Sequence, residues 1–446
     1  MKRVSVHKKE EAYLKWWQLS LIGVGCTIGT GFFLGSSIAI EKSGFSVIFT
    51  FLFAAVGTYF VFEALAKMTA EHPEKGSFRS YAKKAFGRWA GFSSGWVYWG
   101  AEMLIMGSQL TALALFSRFW FPNVPVWILA SIYGFLGLIV IFLGAHGFEK
   151  TENILAVIKT AAILMFIVLA VLALFGYFDG GRPIKAQIPN SVGEFFPVGV
   201  VGLWTGLIYA FYAFGGIEVM GLMAANLTDP KEASKSGKVM LFILAVIYIV
   251  SLGLALLLVP LDAFNKQESP FVVAFKEYSL PYILDIFNGA FIIAGFSTMV
   301  ASLFAVTLIL VTLSEDGDAP KLFSKKGKWK VPLPALALTT SGLIVSIILA
   351  LLLPKQIYEY LTTAAGLMLL YTWLFILFSY RKLSKLNVKD KIKTFSAFFL
   401  ITAAVSGTLL EKTSRPGFFV SVLFAAVIGI ITLMMRKRWR NQEHTS

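Results

Sequence analysis

The chain has 446 residues, of which 57% are hydrophobic and only 15% charged, and its mean hydropathy is +0.73. A soluble domain carries about 25% charged residues, so this composition excludes an ordinary cytosolic enzyme, a disordered chain and a secreted disulfide scaffold. The net charge of +15 would suggest nucleic acid in a soluble protein, but in so apolar a chain it points first to the excess of basic residues in cytoplasmic loops of membrane proteins.

A membrane-crossing helix needs about 20 mostly apolar residues. Twelve segments meet that need: 16–40, 45–68, 92–117, 125–145, 153–176, 198–225, 239–261, 286–313, 333–353, 357–380, 394–411 and 417–435. The expected fold class is therefore an all-α integral membrane protein in a lipid bilayer. Residues 1–15 and 436–446 form short tails, and 16–435 the polytopic body, with no room for a separate soluble domain. An even number of spans puts both tails on one side. With a cytoplasmic N-terminus, the inner segments hold 29 basic residues and the outer ones 9, while Lys67 and Lys159 fall inside spans. That bias predicts cytoplasmic termini and removes the support for a nucleic-acid partner. The basic start followed by a long apolar run reads as a retained first helix, because a cleaved signal peptide has a shorter apolar core.

Span one opens on Trp16 and Trp17, which suit the interfacial aromatic belt. It then carries five glycines between Gly23 and Gly35, each costing a helix about 0.8–1.0 kcal/mol relative to Ala. Its single cysteine, Cys26, is expected to be a buried thiol. Span two holds Glu63 and Lys67, four apart and favourably spaced for an ion pair. Span three contains Glu102 after Tyr98-Trp99, and span five contains Lys159. Span six reads Tyr212-Ala213-Phe214-Gly215-Gly216-Ile217-Glu218, a glycine pair followed at once by an acid. Irregular backbone at membrane depth is tolerated only where protein buries it or it lines a wet cavity. A half-helix N-terminus offers N–H groups to a carboxylate, and a C-terminal end offers carbonyls to a cation. Two such breaks at matching places would suit a zwitterion such as an α-amino acid. The alternative is close helix packing through small residues.

At these residues the sequence resembles the amino acid permeases of the amino acid–polyamine–organocation superfamily. The resemblance rests on Ile28-Gly29-Thr30-Gly31-Phe32 and on the span six run just quoted. It extends to Pro73-Glu74-Lys75-Gly76-Ser77, Asn226-Leu227-Thr228-Asp229-Pro230 and Glu315-Asp316-Gly317-Asp318-Ala319-Pro320-Lys321, in family order. It implies a twelve-helix transporter of leucine-transporter architecture: inverted repeats over about 16–176 and 198–380, then extra helices over 394–435. It implies that N–H groups around Thr30, Gly31 and Phe32, with the Thr30 hydroxyl, bind the substrate carboxylate. Carbonyls of Tyr212, Ala213 and Phe214 would bind the α-amino group, Ile28 and Gly215 would complete the site, and Tyr212 would stand as an aromatic gate. Departures from the family pattern at Thr307-Leu308 and Glu315 leave details of the inner gate open.

Ionisable groups inside a membrane are costly and usually functional. By resemblance, Lys159 would carry the coupling proton or stand in for a sodium ion; snorkelling to the inner surface is the alternative. Glu218 reads as a coupling group or as a structural acceptor. Glu102 reads as a lining or pairing group. The expected function is secondary transport of a neutral amino acid, with proton symport ahead of antiport of amino acids or polyamines. His7, His72, His146 and His444 fall in tails or loop ends and suggest no metal site, and no phosphate loop is present, so no enzyme activity, cofactor or ATP drive is expected. The sequence sets neither the substrate's identity nor the oligomeric state.

Overall fold

The computed structural model describes residues 14–443 except 75, 144, 179–185, 225–226, 277, 279, 281, 326–331 and 354–355. The described residues form helices in the order α1 (Trp16–Thr27), α2 (Thr30–Phe33), α3 (Gly35–Ser43), α4 (Val47–Glu71), α5 (Ser77–Phe86), α6 (Arg88–Ser117), α7 (Val126–Leu143), α8 (Ala145–Leu174), α9 (Val192–Phe195), α10 (Gly199–Ala213), α11 (Ile217–Met223), α12 (Ala233–Leu258), α13 (Pro270–Val273), α14 (Ile283–Glu315), α15 (Leu333–Leu352), α16 (Ile357–Leu383), α17 (Val388–Leu410) and α18 (Arg415–Glu443). Among the described residues, each of the twelve apolar segments lies mainly on helix. Ten helical stretches among the described residues are long and apolar enough to cross a membrane, and Val126–Ile141 is a shorter apolar one. The ten differ from the expected twelve for two reasons: the break that cuts α1 short leaves α2, α3 and α4 as one stretch in place of the first two spans, and the fourth expected span falls on the shorter Val126–Ile141.

Burial divides the bundle. The apolar windows of α6 and α16 are 89% and 78% buried, whereas that of α18 is 17% buried. The first two are therefore the core and the last is a peripheral helix whose apolar face suits lipid. Small residues make the close approaches possible: a Cβ on Gly107 of α6 would fall 2.5 Å from Ser346 Oγ of α15, and one on Gly366 of α16 would lie 3.1 Å from Ile208 of α10. This is packing through small residues, as expected between membrane helices.

The two ends of the bundle carry different charge clusters. At the near end, where α6 begins, Arg88 pairs with Asp318 at 3.0 Å and lies over the Trp439 ring at 4.7 Å. Arg79 of α5 pairs with Asp316. Glu63 and Lys67 form the expected pair at 3.2 Å, but in a wider network: Lys67 reaches Asp390 at 2.5 Å and Lys393 reaches Glu63 at 2.6 Å. At the far end, Glu359 of α16 accepts Lys42 of α3 at 3.4 Å and Lys266 at 2.9 Å. Three details depart from the sequence reading. Residues 436–443 of the expected tail continue α18, and Trp439 is buried against Phe92. The loop after span two folds into the amphipathic α5, which buries Phe78 and Tyr81. Cys26 is partly exposed, not buried.

Candidate substrate site

Both glycine-rich runs break their helices. In span one, α1 stops at Thr27, and Ile28 (φ −70°, ψ 108°) and Gly29 (φ −156°, ψ −161°) are extended. The chain restarts as α2, whose first turn closes with Phe32 N–H and Phe33 N–H both donating to Gly29 O at 3.0 Å. The N–H groups of Thr30 and Gly31 have no backbone acceptor among the described residues. They point outward from a helix start, where the first N–H groups have no partner within the helix and the dipole favours an anion. The buried Thr30 hydroxyl also has no hydrogen-bond partner among the described residues. The Phe32 N–H, expected among the carboxylate donors, is instead spent within the turn.

Span six stops at Ala213 and restarts at Ile217. Gly216 has φ +122°, a conformation that only glycine adopts without strain. Phe214 N–H donates to Phe211 O at 3.0 Å and Gly215 N–H to Tyr212 O at 3.1 Å, while Ala213 O accepts the Tyr248 hydroxyl at 3.1 Å. The carbonyls of Phe214 and Gly215 accept no hydrogen bond from the described backbone outside helices. Glu218 turns back to accept Gly216 N–H at 3.0 Å and also accepts the Trp373 indole N–H. Its carboxylate thus caps the start of α11, which makes it a structural acceptor whatever else it does.

The two breaks face each other. A Cβ on Gly31 would lie 3.0 Å from two Tyr212 ring carbons, and one on Gly216 would lie 3.0 Å from Thr27 Oγ1. The first turn after the span one break thus packs against the end of α10, and the span six break against the end of α1. Tyr212 is held by Ser108 of α6 at 2.5 Å, and Phe32 stacks on Tyr248 at 3.7 Å between ring centroids. Ile28, Thr30, Phe32, Tyr212, Ala213 and Phe214 are buried, and Gly31 and Gly215 partly so. Tyr212 is packed inside protein rather than toward lipid.

Several partners were not singled out by the sequence. Tyr248 caps a span six carbonyl, Tyr358 donates to Thr30 O at 2.9 Å, and Trp373 binds Glu218. Thr298 and Gly295 of α14 press on Gly29 and Thr30. The available signal was a polar aromatic group inside an otherwise apolar span, since a buried Tyr or Trp needs a hydrogen-bond partner.

Lys159 is fully buried and donates to Gly25 O at 2.8 Å. Snorkelling is therefore excluded. Its ammonium sits at the C-terminal end of α1, where the helix dipole and free carbonyls favour a cation. Glu102 is buried in α6 on the side of Tyr98 and Ser302. His72 lies exposed at the end of α4; His7 and His444 lie outside the described residues, as does the side chain of His146. No group of three or more His, Cys, Asp or Glu suited to a metal occurs among the described residues.

The amino acid permease family profile matches residues 18–445. The chain belongs to the amino acid permease family. The permease is 67% identical over 425 residues to an uncharacterized transporter, YcgH, of Bacillus subtilis, covering 95% of each chain. It is 31% identical to the aromatic amino acid transport protein AroP of Corynebacterium glutamicum, covering 85% of this chain and 83% of that one. Among solved structures, a manganese transporter of Eremococcus coleocola superposes with a TM-score of 0.59 at 12% identity, covering 98% of this chain and 97% of that one. The permease and that transporter thus share a fold.

Proposed function

We propose that this permease carries a neutral L-amino acid across the cytoplasmic membrane by proton-coupled symport with alternating access. The observation that carries the reading is the pair of contacting breaks: the free Thr30 and Gly31 N–H groups suit a carboxylate, and the free Phe214 and Gly215 carbonyls suit an ammonium. Ile28, Phe32, Tyr212 and Ala213 wall the site, with Tyr212 as its gate. Relatives named for amino acid transport support the substrate class. The twelve spans, the inverted repeats over 16–176 and 198–380 and the cytoplasmic termini are part of the same proposal, resting on the hydropathy and basic-residue pattern.

Rocking of the broken-helix bundle against the remaining helices exposes the site to each side in turn. Lys159 acts from the end of α1, where its ammonium fills the place of a bound cation. Deprotonating it would withdraw that charge from the Gly25 carbonyl and loosen α1, linking proton release to movement of the substrate turn. Glu102 and Glu218 are the other coupling candidates. Buried Glu102 has no ion-pair partner among the described residues, and this favours, as a second reading, exchange of amino acids or polyamines with a cationic substrate. Uptake by proteoliposomes separates the two. Symport predicts accumulation of at least one radiolabelled neutral L-amino acid, faster under an inward proton gradient. Uptake only against preloaded substrate would assign exchange, and neither uptake nor exchange with any amino acid or polyamine would sink both readings.

A further inference from the structure

Gln109, in the middle of α6, is only 7% exposed, and its Oε1 has no hydrogen-bond partner among the described residues. Burying an amide oxygen without a donor is costly, and most such groups in folded proteins are paired. We propose that Gln109 selects the transported amino acid, its oxygen accepting a hydrogen bond from an amide or hydroxyl on the substrate side chain; this rests on the transport reading above and narrows the substrates from neutral to polar neutral amino acids.

Helical register places Gln109 beside the substrate turn. Residues 102, 109, 113 and 116 share one face of α6. Three of them meet α14: Glu102 lies against Ser302, Leu113 lies 3.0 Å from a Cβ placed on Gly295, and Phe116 meets Phe291 at 5.8 Å between ring centroids. The two helices run antiparallel along this seam, so Gln109 falls between Gly295 and Ser302, level with Thr298. Thr298 in turn lies 3.1 Å from a Cβ placed on Gly29, and the Thr30 methyl lies 2.8 Å from one on Gly295. The residue before Gln109, Ser108, holds the Tyr212 hydroxyl. Gln109 thus stands between the gate and the turn that carries the free Thr30 and Gly31 N–H groups.

The neighbouring hydroxyls are committed elsewhere. Thr298 donates to Ala294 O and Gly295 O, both at 3.1 Å, and Ser108 is shared between Ile105 O at 2.8 Å and Tyr212. An apolar substrate side chain at this place would leave the Gln109 oxygen unpaired, whereas an amide or hydroxyl brings the missing donor. A site built around such a hydrogen bond rejects the isostere that lacks it far more strongly than an apolar pocket discriminates by size. The expected signature is therefore a preference between side chains of equal shape and different polarity.

Uptake by the full chain in proteoliposomes, measured for the near-isosteric pairs asparagine and leucine, and threonine and valine, tests this. In the native protein kcat/KM is expected to be at least about tenfold higher for the polar member of one pair or both. Gln109→Leu should abolish or reverse that preference while leucine is still carried. Gln109→Asn keeps the amide on a shorter stem; it should keep the polar preference and shift it from asparagine toward glutamine. A polar preference that survives Gln109→Leu unchanged would overturn the role of Gln109. A native preference for leucine and valine would overturn the polar substrate class without recourse to any variant, and would leave the transport reading standing. Uptake or exchange of no amino acid would overturn the transport reading and this proposal together.

Discussion

Single atoms decide how the central site works. Lys159 donates to Gly25 O at 2.8 Å, one turn from the break, so its charge and the position of α1 are linked. Replacing it by Met keeps the length of the side chain and removes the ammonium. Lys159→Met is expected to abolish the response of uptake to a proton gradient while substrate still raises the melting temperature of the detergent-solubilised protein. A retained pH response would transfer coupling to Glu102 or Glu218. The residue scale also shows where sequence reading was limited. The chain order displayed Thr30, Gly31 and the span six run, because glycines in an apolar span are conspicuous. It did not display Tyr248 or Tyr358, whose roles depend on hydroxyls reaching across to carbonyls of other helices.

The broken elements owe their shape to glycine. Gly216, at φ +122° and with Thr27 Oγ1 3.0 Å from any added Cβ, tolerates no side chain without strain or movement. Gly216→Ala is expected to cost about 1–3 kcal/mol from the backbone conformation and to push α11 away from α1. Its melting temperature should fall and substrate should no longer stabilise it. Gly289→Ala in α14, where an added Cβ meets nothing within 4 Å, should leave both properties near native. Equal behaviour of the two variants would mean that the facing of the breaks is not what forms the site. The existence of both breaks was legible because the local cost of glycine is a sequence property. Their facing was not, since residues 27 and 216 meet only through the packing of the whole bundle.

At the scale of the molecule, the far-end charges tie separate helices together. Glu359 receives Lys42 from α3, Lys266 from the loop before α13 and the Tyr209 hydroxyl of α10 at 3.2 Å. Burial lowers the Lys266 pKa, but the hydrogen bond and charge of Glu359, with Glu41, outweigh it and hold the group above its ordinary value. A cation with a raised pKa stabilises the folded state fully below its unfolded value, and that contribution fades as pH rises through the folded value. The tie should therefore be intact at neutral pH and weaken only in strong alkali. Glu359→Gln removes the shared acceptor and is expected to cost about 3 kcal/mol, because Lys42 is buried and breaking a buried pair leaves a charge uncompensated. An unchanged melting temperature would show that Glu411, 3.3 Å from Lys42, and Glu41, 3.4 Å from Lys266, suffice as partners.

The sequence by itself determined the class of protein, the position of most of the long apolar helices and the two places where helices fail. Each of these follows from properties local in the chain: apolar run length, glycine content and the cost of charge in hydrocarbon. The tertiary structure alone decided which unpaired groups meet. It set Lys159 against Gly25, Gly31 against Tyr212 and Gly216 against Thr27, and it drew Glu63 and Lys67 into a cluster with Asp390 and Lys393. Hydrogen bonds and ion pairs act over about 3 Å, so partners more than a hundred residues apart are chosen by helix packing, and no local pattern records that choice.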